Sequence, residues 1–328
     1  MARRTLARWL RQGLSAAALG LEGRLPYLWS KGFSQYCDVA GPWTYRLGET
    51  EAGRSAAFFR RHYAGARGLV WVRLGSTSRV AAPCDLDRFV EAALPTIRHP
   101  FALITTDGDA SVPSDLAEST VRALFDCPWL VSWHTQNHDG HAHAKLAPIP
   151  IGLDLHTPRP WIRGQRLAAR LRRLRESRPA EPASLRVFCD LGVSLASDER
   201  RRAVAALRDC DHVDFQGSRI AQAAIWQKYA RYAFALSAPG NGLDCHRTWE
   251  LLYLGCIVIT RTSSLDPLFD GLPVVIVEDW KEVRDKASLV RWFREYGPLT
   301  ECGRIWERLD PSRYMGPVRA ALRESERR

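Results

Sequence analysis

The sequence predicts an α/β protein built from two Rossmann-like βαβ domains that face a cleft. Three observations lead there. Short apolar runs recur along the chain and alternate with amphipathic stretches of helical length, which is the pattern of parallel βα units. A Pro- and Arg-rich stretch, 156–185, interrupts that alternation near the middle, and the alternation resumes beyond it. The length, 328 residues, is large for one hydrophobic core and favours two domains.

In the first half the expected strands are Leu69–Val72, Phe101–Thr105, Trp129–Trp133 and Ala147–Ile151. A helix near Gly53–Tyr63 precedes them, and helices near Asp85–Thr96 and Pro113–Phe125 separate the first three. Pro113 suits an early helical position, with Asp109 or Ser111 able to cap. From Asp154 to Arg186 the composition changes: prolines flank an Arg-rich run, Arg163 to Arg178, read as an exposed helix in a linker. The second half gives strands at Val187–Leu191, His212–Phe215, Ala233–Leu236, Cys256–Ile259 and Pro273–Val277. Its helices fall near Asp198–Arg208, Arg219–Tyr229, His246–Leu254 and Lys281–Tyr296, and Trp306–Arg327 closes the chain as a helix that packs back on the first domain. The expected division is a basic amphipathic helix (1–25), a first Rossmann-like domain (26–155), a linker (156–185), a second Rossmann-like domain (186–310) and a C-terminal helix (311–328).

Composition narrows the class. Hydrophobic residues make up 46% and charged residues 25%, ordinary for a globular enzyme and unlike a disordered chain. The formal charge is +11, which suits nucleic acid, an anionic membrane or anionic substrates. Only five of the 47 basic residues are Lys, a bias that weakens Arg abundance as evidence for phosphate binding. The eight cysteines show neither C-x-x-C nor zinc-finger spacing, and a reducing compartment is expected. No stretch approaches the ~20 apolar residues of a membrane span. At the N-terminus Leu6, Trp9, Leu10 and Leu14 share one helical face while Arg3, Arg4, Arg8 and Arg11 lie mostly elsewhere. This suits either a helix lying on an anionic membrane surface or one packed on its own domain. The expected location is cytoplasmic, at most peripheral on the inner membrane face.

The most informative segment is F-A-L-S-A-P-G-N-G-L-D-C-H-R-T-W-E-L-L-Y-L-G-C-I-V-I-T, from Phe234 to Thr260. It reads as a buried strand, a glycine turn (Gly240, Asn241, Gly242), a helix capped by Asp244 and ended by Gly255, and a second strand. A glycine turn feeding a helix N-terminus is an anion site, because free backbone N–H groups and the helix dipole both favour negative charge. Arg247 and Glu250 share a face of that helix. Arg suits a diphosphate and Glu suits ribose hydroxyls. The plain alternative is a surface ion pair worth ~0.3 kcal/mol. Against it, polar residues crowd a loop that follows a buried strand, where function concentrates. The turn is neither G-x-G-x-x-G nor a P-loop, so neither of those fingerprints applies.

This segment resembles the donor-binding segment of GT-B glycosyltransferases, and is most similar to the exostosin-like group, with R-T-W-E-L-L-Y-L-G followed by an apolar strand. The likeness runs from about Tyr229 to Val283; L-V-S-W-H-T-Q-N and K-L-A-P-I-P-I-G-L-D resemble the end of the first domain in related bacterial proteins. The resemblance implies a GT-B fold and a nucleotide-sugar donor held in the second domain by Arg247 on its phosphates and Glu250 on its ribose. Gly240–Gly242 would lie against the sugar or diphosphate, Asp244 and His246 could touch the sugar, and Lys228 and Arg231 would help neutralise the leaving diphosphate. The acceptor, a glycan or glycolipid of a surface polysaccharide, would meet the first domain. An inverting transferase needs a base near the acceptor hydroxyl. Candidates are Asp107 and Asp109 in T-D-G-D, which could equally form a capping turn, and His134 ahead of His138 and Asp139. His134, His138, His141 and His143 have spacings that can ligate zinc, but a polar loop sequence argues for exposed histidines. No metal and no cofactor are expected beyond the donor substrate. Two alternatives stand beside the transferase: a nucleic-acid-binding Rossmann-like protein, suggested by Trp161 among Arg159, Arg163 and Arg166, and a catalytically silent GT-B relative that binds a glycan.

Overall fold

The computed structural model describes residues 25, 27–48, 53–75, 83–157, 164–179, 184–194 and 197–327. The basic segment of the N-terminus and Trp161 with its neighbours Arg159 and Arg163 lie outside the described residues. The chain divides into two compact units, Met1–Leu167 with Asp310–Arg328, and Ala168–Leu309. Both are α/β with wholly parallel sheets, as the alternation predicts.

The first unit carries β1 (Gly68–Gly75), β2 (Phe101–Gly108), β3 (Leu130–Thr135) and β4 (Leu146–Pro148) in spatial order β1-β2-β3-β4. β1 and β2 are buried along almost their whole length, so both faces of the sheet are covered. The helices are α1 (Trp43–Arg46), α2 (Ala56–Tyr63), α3 (Asp85–Ala92) and α4 (Glu118–Asp126). An aromatic cluster packs α1, α2 and α3 onto β1: the Tyr45 ring lies 5.5 Å from Trp71, and Tyr63 lies 5.8 Å from Phe89. Inside it Arg73 Nε donates to Asp85 Oδ2 at 2.7 Å, with both side chains fully buried. α4 starts at Glu118, not at Pro113. Pro113 falls in a turn, where Asp115 accepts from the Ser111 backbone N–H, so neither Ser111 nor Asp109 caps the helix.

The C-terminal residues belong to this unit. One helix over Trp306–Arg327 was expected, but the chain makes two, because Pro311 lacks an N–H and opens a new helix at its first position. They are α10 (Cys302–Arg308), which stays with the second unit, and α11 (Pro311–Arg327), which packs against β1, β2 and β3. α11 buries Met315, Val318 and Leu322 at helical spacing, and Arg319 pairs with Asp38 at 3.4 Å.

The second unit carries β5 (Val187–Cys189), β6 (Val213–Phe215), β7 (Phe234–Leu236), β8 (Ile257–Arg261) and β9 (Val274–Val277) in spatial order β6-β5-β7-β8-β9. The order reverses between β5 and β7. At such a switch point the loops beyond the two strands diverge and leave a crevice where ligands bind. The helices are α6 (Asp198–Leu207), α7 (Gln222–Tyr229), α8 (His246–Tyr253) and α9 (Lys286–Tyr296). Trp280 and Val283 from a 3₁₀ turn at Trp280–Arg284 join the core under α6. The expected single helix at Lys281–Tyr296 is broken because the Asp285 side chain accepts from the N–H groups of Ala287 and Ser288 and starts α9 afresh.

The Arg-rich run forms α5 (Gly164–Glu176), within which the two units divide. It is not simply a solvated face. Leu167, Ala168 and Leu171 are buried beneath the arginines, and Arg178 donates to the carbonyls of Tyr232 at 2.6 Å and Ala230 at 3.1 Å, groups that would otherwise be left unpaired. All eight cysteines are thiols. No helix among the described residues is long and apolar enough to cross a membrane.

Candidate functional site

The glycine turn leaves β7 at Leu236 and reaches α8 through Gly240, Asn241 and Gly242. A Cβ at Gly240 would stand 2.7 Å from Arg200 Nη2, so a larger residue there would push that guanidinium aside. Arg200 is buried. It donates to the carbonyls of Pro239 at 3.0 Å and Ser194 at 3.1 Å, joining the loops that follow β7 and β5. The Ser197 hydroxyl donates to the same Pro239 carbonyl at 2.6 Å. Both sides of the switch-point crevice are therefore pinned by one cation and one hydroxyl.

α8 starts at His246, with Cys245 as the N-cap residue in extended conformation and without a side-chain cap. Asp244 is not the cap. Its Oδ1 accepts from the buried Trp249 indole at 2.8 Å, which fixes the helix start from one residue further back. Asn241 is exposed, Gly242 is buried and His246 is half-buried. Gly255 ends the helix in the left-handed conformation, φ +80°, as a C-terminal glycine does.

Arg247 and Glu250 come together on the first turns of α8, each with a partner that the sequence did not indicate. Arg247 Nε stands 2.8 Å from Asp190 Oδ1, just beyond β5. Asp190 Oδ2 accepts the Tyr229 hydroxyl at 2.7 Å. Burial alone would lower the Arg247 pKa, but the Asp190 carboxylate and Tyr229 outweigh it and the net shift is upward. Burial, followed by the Asp190 charge, raises the Tyr229 pKa well above its ordinary value. Glu250 is buried and its Oε1 accepts from Gln222 Nε2 at 2.9 Å. Three buried atoms in this group lack a hydrogen bond: Arg247 Nε, which has the Asp190 charge beside it, Arg247 Nη1, also a donor, and Gln222 Oε1, an acceptor. A buried cationic donor and a buried acceptor left unmade cost free energy unless a ligand supplies the complement. Phosphate oxygens complement the first, and a hydroxyl complements the second.

Lys228 and Arg231 are not brought into this group. Lys228 donates to Gln216 at 2.6 Å and lies 6.0 Å from the Phe188 ring. Arg231 is exposed in the turn that enters β7, at the opposite end of the strand from the glycine turn.

In the first unit Asp107 lies at the carboxyl end of β2 with φ +66°. It is buried, 3.4 Å from Lys31 Nζ, and His156 Nε2 approaches its Oδ1 at 3.8 Å. Gln136 accepts from its N–H at 2.8 Å and also donates, with Asn137, to the Gly108 carbonyl, which holds the unusual backbone in place. Lys31 and His156 were not legible as partners, since both are distant from Asp107 in sequence. Asp109 is exposed. His134 lies inside β3, not in the loop beyond it, because the strand runs on to Thr135. Burial lowers its pKa to about 4, and its Nε2 lies 3.2 Å from the Ser132 hydroxyl. His138 is buried; His141 and His143 stack on the Phe125 ring at 5.9 and 3.7 Å.

No family model matches the chain, and no curated protein matches it. Among solved structures it is similar to the UDP-forming α,α-trehalose-phosphate synthase of Burkholderia vietnamiensis, with 12% identity over 82% of this chain and 78% of that one and a TM-score of 0.45. It is also similar to the α,α-trehalose 6-phosphate synthase of Burkholderia multivorans, with 12% identity, 82% and 76% coverage and a TM-score of 0.43. A third, a trehalose-6-phosphate synthase described with bisubstrate glycomimetics, shares 9% identity over 82% and 76% with a TM-score of 0.46.

Proposed function

We propose that this protein is a glycosyltransferase of GT-B type that takes a sugar from a nucleotide-diphosphate donor and passes it to a glycan or glycolipid acceptor. The observation that carries this reading is the pair of unmatched buried atoms, Arg247 Nη1 and Gln222 Oε1, beside Glu250 at the switch point of the second unit. Arg247 takes a donor phosphate by a charge-assisted bond, reinforced by the N-terminal end of α8. Glu250 and Gln222 take the ribose hydroxyls. The Gly240–Gly242 turn lets the backbone approach the diphosphate, and Arg200 keeps the turn in place. Of the three candidate bases, Asp107 is preferred, since it ends a strand and has Lys31 and His156 beside it. His134, inside β3 and paired in register with Ile104, stands back from the strand end where Asp107 lies.

Thermal unfolding with a panel of nucleotides tests the reading. A raised midpoint with a nucleoside diphosphate, together with slow hydrolysis of the matching nucleotide sugar, supports it. Tight RNA binding that falls steeply with salt, with no nucleotide effect, sinks it in favour of a nucleic-acid-binding protein.

A further inference from the structure

A third arginine stands at the edge where the glycine turn leaves the second unit's sheet. β8 closes on Arg261. Ile257, Ile259 and Arg261 alternate onto one face of the sheet, the face that α6 and Trp280 cover. Leu236 of β7 pairs with Ile259, and the Ser237 N–H donates to the Ile259 carbonyl at 2.9 Å, so the register runs on past the end of β7. It sets Arg261 level with Ala238, the residue before Pro239 and the turn, at the usual strand spacing of about 4.8 Å. The side chain stays at that edge. Its Nε is 3.8 Å from Glu199 Oε1 in the first turn of α6, next to Arg200, which donates to the Pro239 carbonyl at 3.0 Å.

The three arginines around the turn differ in what already engages them. Arg200 is occupied by the carbonyls of Pro239 and Ser194, and Arg247 has Asp190 beside its Nε. Arg261 makes no hydrogen bond to any described residue. Glu199, its one ionic neighbour among them, also accepts the Trp280 indole at 2.7 Å and faces Arg202 at 3.5 Å. Arg261 Nε is buried, but the side chain is 32% exposed and both terminal nitrogens reach solvent. Arg247 and Arg261 lie on opposite sides of the turn. Arg247 reaches Asp190 at the end of β5, and Arg261 ends β8. β5 and β8 flank β7, which puts them two strand spacings, about 10 Å, apart. A nucleoside diphosphate with its ribose at Glu250 and Gln222 and its first phosphate on Arg247 carries its second phosphate across the turn toward β8. That second phosphate takes the charge when the sugar leaves, and a fixed cation there stabilises it. Lys228 and Arg231, expected in this role, lie elsewhere. Resting on the donor reading above, we propose that Arg261 binds the second phosphate and gives the site its preference for nucleoside diphosphates over monophosphates.

Calorimetric titration of the full-length protein with UDP, UMP, GDP and GMP tests this. In the wild type the diphosphate of the preferred base is expected to bind at least tenfold more tightly than its monophosphate. Arg261→Gln should lower diphosphate affinity at least tenfold, the loss of one charge-assisted bond, and leave monophosphate affinity within about twofold. The two nucleotides then bind nearly alike. Arg247→Ala, by contrast, should weaken both. Arg261→Lys keeps the charge and should retain part of the preference. Both Arg261 variants should melt with the wild type, since Glu199 keeps Trp280 and Arg202. Equal losses for the two nucleotides, or an unchanged ratio between them, overturn the assignment of Arg261 and leave the donor site intact. A wild-type protein that binds none of the four overturns the donor reading and this proposal with it.

Discussion

Replacing Arg247 by Ala changes two quantities that can be measured apart. For the donor, the variant loses one charge-assisted bond to phosphate, worth about 1.5–3 kcal/mol. At about 1.4 kcal/mol per tenfold, nucleoside diphosphate affinity should fall by roughly 10–150-fold. For the fold, Asp190 keeps the Tyr229 hydroxyl but loses the guanidinium 2.8 Å away. Removing one partner of a buried ion pair costs about 3–5 kcal/mol, and the remaining exposure of these side chains, 16% and 10%, places this pair at the low end. Asp190→Asn in the same chain removes the uncompensated charge. The double variant should therefore recover most of the melting temperature while nucleotide affinity stays low. Calorimetric titration with UDP and GDP, beside thermal denaturation of both variants, reads the two effects separately. If stability and nucleotide affinity recover together in the double variant, Arg247 serves the fold alone and the donor assignment fails.

Glu250→Gln keeps the volume and a carbonyl for Gln222, so stability should hold within about 0.5 kcal/mol; nucleotide affinity should fall about tenfold, and unchanged affinity in calorimetry would count against a ribose contact. Asp107→Asn should lower kcat at least 100-fold with donor affinity unchanged, the size of a lost general base; steady-state kinetics that shift only KM would remove Asp107 from the chemistry. His134 has a folded-state pKa of about 4, below its ordinary 6.5, so the unfolded chain takes up its proton first as pH falls. Stability is then fully present above about pH 6.5 and is lost on the way down to about pH 4, by about 1–3 kcal/mol for this half-buried ring. His134→Gln should flatten that part of the melting-temperature profile and keep transferase activity; an equally steep profile in the variant would show that other groups cause it.

Both sheets were legible because each strand is a short apolar run bounded by turn residues, and parallel strands covered on both faces have that composition. The errors cluster where local bonding competes with periodicity. Asp285 and Pro311 split helices that hydrophobic spacing alone would run together. The arginines of α5 hid an apolar stripe, Leu167, Ala168 and Leu171, which a charge count reads as solvated surface. In the site, the glycine turn and the Arg247–Glu250 spacing could be read directly, since they lie on one contiguous segment. Asp190, Tyr229, Gln222 and Arg200 could not, because they reach the site from other elements: Asp190 from the end of β5, Arg200 from α6, and Gln222 and Tyr229 from α7. A charged residue closing the apolar run Val187–Phe188–Cys189 was the one local sign of Asp190.

Asp190 raises a question of sign: a carboxylate beside Arg247 would repel the diphosphate that Arg247 is proposed to hold. The geometry answers it. A guanidinium presents donors on more than one edge, and a carboxylate engages only one of them. Asp190 Oδ1 stands 2.8 Å from Nε as an ion pair, and Nη1, away from that carboxylate, is buried with no hydrogen-bond partner. The Tyr229 hydroxyl on Oδ2 further satisfies the carboxylate and holds it on the Nε side. Asp190 thus acts as a positioning residue: it fixes the guanidinium so that little side-chain entropy remains to be lost when phosphate arrives at the other edge. An Arg247→Lys variant keeps the charge but has no second edge. It should therefore hold Asp190 and the fold while losing most of the nucleotide affinity, and equal binding by Lys would mean that charge alone, without this geometry, serves the site.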